Sequence, residues 1–459
     1  MPRMSNWIHA KLVYPAIVRA RGEGEVFAAL EELRAVERLT PEELRARQER
    51  KLAAILDHAA ERCAFYRERW PRDAPFAPGE ALDRLADLPV IRKRDLQNAA
   101  DRLRANPAPR RITRKVTGGS TGQTVTVYKD RRALAHEMAA SWLGYGWFGV
   151  RIGDRAARFW GSPHTLKRRL RFAAADFAMH RIRFSAFAFG EDELERYWKR
   201  CLRFRPQYFY GYVSMLEEFA RYLRRRGHDG ATLGLKAVIT TSEVLSATQR
   251  EVLQEVFNAP VQNEYGCGEV GAIAYECERG SLHIMGDNLI VELITPEGKP
   301  AQVGETGEVV VTDLNNRAMP LIRYALADFG VPGEPCDCGR PFPVLERIWG
   351  REYDFVESPS GRRYHGEFLM YFFEDLRARG VPVQQFQVIQ HDADRLEVAV
   401  ILPGGAGEEE RVGRELEDRL PGMKISVRRV DAIERAPSGK MHIIQNPWLR
   451  RRDAARQGA

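Results

Sequence analysis

Between Thr117 and Thr124 the chain runs Thr117-Gly118-Gly119-Ser120-Thr121-Gly122-Gln123-Thr124, three glycines and four hydroxyl side chains in eight residues with no apolar side chain. Backbone N–H groups and hydroxyls in such a loop can wrap a phosphate chain. The loop lacks the lysine of a Walker A sequence, so it is not a P-loop of that kind. Gly118 to Gly122 also fits G-x-S-x-G, the nucleophile elbow of α/β-hydrolases, and Asp328 and His365 follow in the order Ser, Asp, His. That elbow needs a helix after the serine. Here Val125 and Val127 alternate with Thr124 and Thr126, which is strand period. The phosphate reading is therefore preferred over the nucleophile, with a plain turn between strands as the bland alternative.

A second group of residues could hold a metal. Cys277 and His283 lie close together in a β-like stretch, and Cys336-Asp337-Cys338 comes later. Three thiols and one imidazole suit a closed, four-coordinate structural Zn²⁺ site, which leaves no open position for catalysis. The C-x-C spacing is tighter than the commoner C-x-x-C, and reduced thiols are the alternative. Cys63 and Cys201 read as small core residues, and six cysteines in 459 residues imply no disulfide framework.

The elements that must position these groups read as α/β. Residues 25–70 are helical; Thr40-Pro41-Glu42-Glu43 supplies an N-cap, a proline at the first helical position and acids in the first turn. Residues 110–330 alternate short β runs (Arg155 to Trp160, Tyr208 to Tyr212, Leu235 to Thr241) with helices, as α/β architecture requires. Residues 280–325 are more purely β. A boundary near Gly350 separates residues 1–349 from a smaller α+β unit, 350–459: paired strands at 385–389 and 396–401, a polar helix at 407–419, a strand at 424–430 and a loop, Pro437-Ser438-Gly439-Lys440.

Composition bounds the rest. A chain 44% hydrophobic can bury a large core, and its formal net charge is +8. The excess charge falls in patches such as Lys167 to Arg171, Arg224 to Arg226 and Arg450 to Arg452. No nucleic-acid-binding motif accompanies them, so they read as solvated surface and no nucleic-acid partner is expected. No apolar run reaches the length of a membrane span, and the N-terminus lacks the apolar core of a signal peptide. The expected location is the cytoplasm. The amphipathic segment Trp7 to Val18 is expected to pack on the body rather than on a membrane surface.

Taken in order, five motifs resemble the acyl-adenylate-forming superfamily of acyl-CoA synthetases, luciferase and peptide-synthetase adenylation domains. Thr117 to Thr124 looks like its phosphate loop. Tyr265-Gly266-Cys267-Gly268-Glu269 resembles Y-G-x-x-E. Gly304 to Glu308, with Arg323-Tyr324 and Asp328, resembles the G-E, R-Y, D block. Gly350-Arg351 with Asp354 resembles the hinge, and Pro437 to Lys440 the C-terminal lysine loop. The resemblance spans residues 40–445. It is closer to the phenylacetate–CoA ligase branch, with its CapK-like and coenzyme-F-adenylylating members. Leu39 to Leu44, Gln48, Lys51-Leu52, His58-Ala59, Phe65-Tyr66 and the cysteines support that branch.

The resemblance implies a large N-terminal AMP-binding domain and a small mobile C-terminal one. It also implies an ATP-dependent acid–thiol ligase. A carboxylate oxygen attacks the α-phosphate of ATP, pyrophosphate leaves, and the acyl-AMP passes to CoA or a carrier-protein thiol. Thr117, Gly118, Gly119, Ser120, Thr121 and Gly122 would hold the β- and γ-phosphates. Glu269 would be a Mg²⁺ ligand, since Mg²⁺ favours one or two carboxylates plus phosphate oxygens. Tyr265 and Gly266 would flank the adenine, with Glu243 near it; Asp328 would hold the ribose hydroxyls; Arg351 would reach the same region. Lys440 would stabilise charge at the α-phosphate. Trp160, Tyr210, Gly211 and Tyr212 are the candidate acyl pocket, and aromatic walls there suit an aryl or arylacetic acid. The expected small molecules are ATP, Mg²⁺, structural Zn²⁺, the carboxylate and CoA; a homodimer is compatible with the reading. The hinge departs from the family's G-R-x-D-D, because Tyr353 stands at the first acidic position. That departure weakens the case for the usual hinge geometry and for a full second half-reaction. Two alternatives stand beside the ligase: adenylylation of a hydroxyl acceptor, from the likeness to the coenzyme-F-adenylylating members, and a pathway role in envelope polysaccharide biosynthesis, from the CapK likeness and the basic surface.

Overall fold

The computed structural model describes residues 6–70, 76–77, 79–117, 125–160, 173, 175–177, 179–185, 190–243, 245, 247–348, 355–383, 385–403, 407–431, 433, 444–449 and 451–452. Its backbone is an 11-stranded mixed sheet in the order β10-β11-β12-β13-β9-β8-β7-β6-β5-β3-β4. The parallel half consists of β3 (Ala156–Trp160), β4 (Arg181–Ser185), β5 (Tyr208–Tyr212), β6 (Ala237–Thr241) and β7 (Val261–Cys267). Parallel neighbours need long crossovers, and helices supply them here. Glu191–Phe204 precedes β5, Val213–Arg226 links β5 to β6, and Ala247–Phe257 links β6 to β7. The antiparallel half needs only turns: β8 (Gly271–Glu276), β9 (Leu282–Ile284), β10 (Leu289–Ile294), β11 (Gly307–Asp313), β12 (Tyr324–Pro332) and β13 (Val344–Ile348).

The strand period decides what each face of the parallel half meets. Phe159, Phe184, Phe209 and Val238 point to one face and are fully buried against the crossover helices. The Phe159 ring lies 5.0, 5.1 and 5.2 Å from those of Phe184, Phe209 and Phe219. Each buried phenylalanine contributes about 1.5–3 kcal/mol in transfer free energy. The opposite face meets the helix Arg131–Trp147, whose N-cap Asp130 accepts from Ala133 N at 2.9 Å. That helix seats directly on Tyr275. A Cβ on Gly144 would stand 2.3 Å from the Tyr275 ring, so no larger residue fits without movement.

The loop of residues 118–124 lies outside the described residues, but its two flanks do not. β1 (Thr113–Thr117) and β2 (Val125–Lys129) form an antiparallel hairpin in which Thr117 faces Val125. A strand therefore follows Ser120, as its period predicts, rather than the helix of a nucleophile elbow. Lys129 ties this hairpin to the body: its fully buried ammonium lies 3.0 Å from Asp313 Oδ2 and also meets Glu137. Lys115 Nζ reaches the other Glu137 oxygen at 2.6 Å. Burial penalises Glu137's charge, yet Lys129 and Lys115 together hold its carboxyl below the usual glutamate range.

The N-terminal helices form as their sequence predicts. Glu43 N donates to Thr40 Oγ1 at 3.2 Å and Thr40 N donates to Glu43 Oε2 at 2.8 Å, a complete capping box for the helix Pro41–Arg62. That helix buries Leu44, Leu52, Ile55, Leu56 and Ala59. Within the segment 7–18, Tyr14 and Val18 pack inward while Trp7 and Leu12 remain exposed. No described helix is long and apolar enough to cross a membrane. The Arg224 to Arg226 patch is ion-paired, to Glu255, Glu218 and Glu191 respectively.

A two-stranded pair, β14 (Phe355–Glu357) and β15 (Arg363–His365), leads into the helix Gly366–Ala378. Beyond it lies a four-stranded sheet in the order β18-β17-β16-β19. β16 (Gln385–Asp392) and β17 (Arg395–Ile401) are antiparallel; β18 (Lys424–Arg429) and β19 (Ile444–Gln445) flank them in parallel. The helix Glu408–Glu417 makes the crossover from β17 to β18, burying Val412 and Leu416. This is the α+β pattern expected after residue 350.

Candidate active site

The carboxyl ends of the parallel strands meet the curled antiparallel strands at Tyr265. Its hydroxyl donates to Asp328 Oδ2 at 3.0 Å, although β7 and β12 are not neighbours in the sheet. Two local irregularities make this meeting. The β7–β8 register shifts between Tyr265 and Gly266, and a Cβ at Gly266 would stand 2.7 Å from Gly271 O, so the bulge requires glycine there. Ala327, just before Asp328, has φ +60°, a left-handed conformation uncommon for a residue with a Cβ. Burial pushes the Cys267 thiol well above its ordinary pKa, and the charges of Glu269 and Asp328 push it further. Tyr265, Cys267, Glu269 and Asp328 thus form one cluster carrying two carboxylates. Arg323, by contrast, is held within the fold: Glu292 lies 3.0 Å from it, and its Nη1 donates to Ala86 O at 2.7 Å.

Inward from Tyr265 the second sheet face is polar and aromatic. Glu264 is buried, and three hydroxyls donate to it: Tyr145 at 2.8 Å, Thr241 at 2.9 Å and Tyr210 at 3.0 Å. Burial nevertheless raises the Glu264 pKa above the ordinary glutamate value. The Trp160 ring stacks on Tyr210, centroids 5.6 Å apart at 25°, and lies 4.3 Å from that of Tyr212. Gly211 turns to the other face, where a Cβ would meet Phe159 O at 2.5 Å. Its lack of a side chain lets β3 and β5 approach. Beyond Thr241, Ser242 takes φ +69° immediately before Glu243.

A third constellation lies away from these. Cys277 sits in the turn between β8 and β9, His283 on β9, and Cys336 and Cys338 in the loop before β13. Their ligand atoms all lie within 4.8 Å of one another. Cys277 Sγ is 3.8 Å from Cys336 Sγ, and Cys338 Sγ is 3.2 Å from His283 Nε2. Two thiolates on one tetrahedral Zn²⁺, each at ~2.3 Å, would be about 3.8 Å apart. His283 Nδ1 lies 3.0 Å from the Phe342 carbonyl, an acceptor, so Nδ1 carries the proton and Nε2 offers its lone pair to the cluster. Arg340 braces the loop through Glu278 at 2.8 Å and Glu37 at 2.9 Å. The donor set fits a closed structural zinc.

No protein-family model matches the chain. It is 28% identical over 333 residues to a phenylacetate–coenzyme A ligase of Thermus thermophilus, covering 70% of this chain and 73% of the relative. It is 22% identical over 376 residues to Protein CapK of Staphylococcus aureus, covering 78% of each. Among solved structures, 2-hydroxyisobutyryl-CoA ligase with an acyl-AMP and CoA superposes with a TM-score of 0.59 at 19% identity, over 92% of this chain and 94% of that one. These similarities support a likeness to the acyl-adenylate-forming superfamily, and within it to the phenylacetate–CoA ligase-like branch. The chain's mixed α/β architecture is the one these ligases share.

The structure brings Tyr265, Gly266, Glu269 and Asp328 together, and places Trp160, Tyr210 and Tyr212 on one sheet face. Thr117 ends β1. Gly118, Gly119, Ser120, Thr121, Gly122, Arg351 and Lys440 lie outside the described residues, as does the whole hinge motif. Sequence reasoning missed Glu264 and Tyr145. The signal for Glu264 was present: an acid at a strand position between Asn263 and Tyr265, alternating with the motif's tyrosine, must face inward when the strand is central. Tyr145 gave none, since its helix reads simply as a packed element.

Proposed function

We propose that the chain is an AMP-forming acid–CoA ligase that activates an aryl or arylacetic acid as acyl-AMP and transfers the acyl group to CoA or a carrier thiol. The single observation carrying this reading is the Tyr265–Asp328 pair, with Glu269 near it, at the carboxyl ends of the parallel strands that also carry Trp160 and Tyr210. Two anions must meet for a carboxylate oxygen to attack the α-phosphorus and expel pyrophosphate, so the site has to supply donors and cations. In this reading residues 117–122 hold the β- and γ-phosphates, Asp328 accepts from the ribose hydroxyls, and Arg351 and Lys440 bring positive charge. Mg²⁺, when bound, neutralises phosphate charge, and Glu269 is the residue to hold it. Residues 350–459 form the smaller domain that carries Lys440, and Cys277, His283, Cys336 and Cys338 hold a structural zinc.

Pyrophosphate release from ATP and Mg²⁺ across aryl, arylacetic and aliphatic acids, with and without CoA, tests the reading. Release should require an acid, and Lys440→Ala should slow it about 10²- to 10³-fold. A thioester should form only with CoA or a carrier thiol present. Metal analysis should find zinc in the purified protein and lose it in Cys336→Ser. A second reading is adenylyl transfer to a hydroxyl, which the departure at Tyr353 from the hinge of thioester-forming members leaves in play. Acid-independent pyrophosphate release that depends on an alcohol would select it.

A further inference from the structure

Arg158 lies on β3, two residues before Trp160 and so about 7 Å further from the strand's carboxyl end. It shares a register row with Arg183 on β4 and Tyr210 on β5, and therefore shares their face of the sheet. Its guanidinium sits 4.6 Å from the centre of the Trp160 ring and 5.0 Å from that of Tyr210. Both rings belong to the face proposed above to receive the acyl group. Arg158 Nε is buried, and no acceptor meets it among the described residues.

The surrounding charge does not balance. Three arginines, Arg158, Arg181 and Arg183, gather on the outer part of this face, and among the described residues Asp176 is the carboxylate that pairs with any of them. Asp176 is committed to the other two: it pairs with Arg181, and Arg183 Nη2 lies 3.0 Å from its Oδ1. Glu264, the other acid on this face, is occupied by three hydroxyls. Burial first, and then the charge of Arg158, lower the pKa of Arg181. A partly buried guanidinium beside two aromatic rings, with no carboxylate among the described residues, carries donors in the fork geometry that suits an oxyanion.

We propose that Arg158 is a specificity residue that binds a second anionic group on the acid substrate. The preferred substrates are then aryl or arylacetic acids carrying a further carboxylate, sulfonate or phosphate at the end remote from the carboxyl being activated. This inference rests on the ligase reading. In this arrangement the aromatic side chains border the body of the acid, the remote anion meets Arg158, and the reactive carboxyl lies toward the carboxyl ends of the strands, where Tyr265, Glu269 and Asp328 gather.

The test compares matched pairs in the pyrophosphate assay on the full chain: phenylacetate against its 4-carboxy, 4-sulfo and 4-phospho derivatives, and benzoate against the same substituents. The wild type should prefer at least one anionic member by about 10- to 100-fold in kcat/KM, expressed mainly in KM, because a site built for a polar group penalises an analogue that lacks it. The three substituents show which oxyanion is read. Arg158→Leu should abolish the preference, and Arg158→Lys should restore part of it. If Arg158→Leu fails to fold, the wild-type preference and the Arg158→Lys ratio still decide. A wild type that uses the neutral acids as well as, or better than, every anionic derivative overturns the inference and leaves the ligase reading intact. Pyrophosphate release with no acid at all overturns both.

Discussion

The parallel half of the large sheet has two faces built from alternate residues of the same strands. On one, Phe159, Phe184, Phe209 and Val238 are sealed against helices. On the other, Arg158, Tyr210, Thr241 and Glu264 sit one residue away along the same backbones, each polar and mostly paired. The ladder hydrogen bonds serve both faces equally. The apolar face gains from excluding water completely, whereas the polar face keeps each group's partner in place and so can recognise one. The alternation lets a stable scaffold and a polar site share one sheet without either intruding on the other.

The sharpest way to break this comparison is from the apolar side. Phe209→Ala should cost about 3–5 kcal/mol of stability in a denaturant titration, while the folded fraction keeps its KM for the acid. A large KM change there would mean the faces are not independent. Next, Glu264→Leu leaves the hydroxyls of Tyr145, Tyr210 and Thr241 without their acceptor and should cost about 1–3 kcal/mol. Unlike Phe209→Ala it should raise KM for the acid, and Glu264→Gln, which keeps an acceptor, should do both less. Tyr265→Phe removes one hydrogen bond to Asp328. It should raise KM for ATP by a factor of about five, near 1 kcal/mol, with an unchanged melting temperature.

The smallest expected effect is a difference in pH response. Burial would raise the pKa of Asp176, but Arg183 and Arg181 outweigh it and hold the carboxyl below the ordinary aspartate value. A depressed carboxyl contributes stability above about pH 4, lost as pH falls through its folded value. The melting temperature of Asp176→Asn should therefore lie below that of the wild type at neutral pH and converge with it in acid. Glu264, raised by burial, has the opposite sign: its contribution is greatest in acid and declines as pH rises through its folded value. The Phe209→Ala deficit should show no such pH dependence.

Much of the local structure was legible. Thr40 before Pro41, with Glu43 three residues on, marks a helix start because the capping bonds span only four residues. The strand after Ser120 was legible from Val125 and Val127, and it separates a phosphate loop from a nucleophile elbow. The cysteine and histidine set was legible by chemistry, since three thiols and an imidazole make up a tetrahedral donor set. The polar sheet face was not. Glu264 lies 119 residues from Tyr145 and 54 from Tyr210, and nothing local to any of them announces the other two.

Sequence alone determined the likeness to adenylate-forming proteins, the succession of helices and strands, and the types of residue in each motif. These depend on short-range period, capping and the order of compact motifs. Only the tertiary structure decided that β7 and β12 curl together so that Tyr265 reaches Asp328, that Gly211 turns away from Trp160, and that Arg158 faces aromatic rings while Asp176 serves its neighbours. Each of these depends on sheet order, register and a bulge or a left-handed residue. Those are settled by which distant strands bury one another, a choice that no window of the sequence contains.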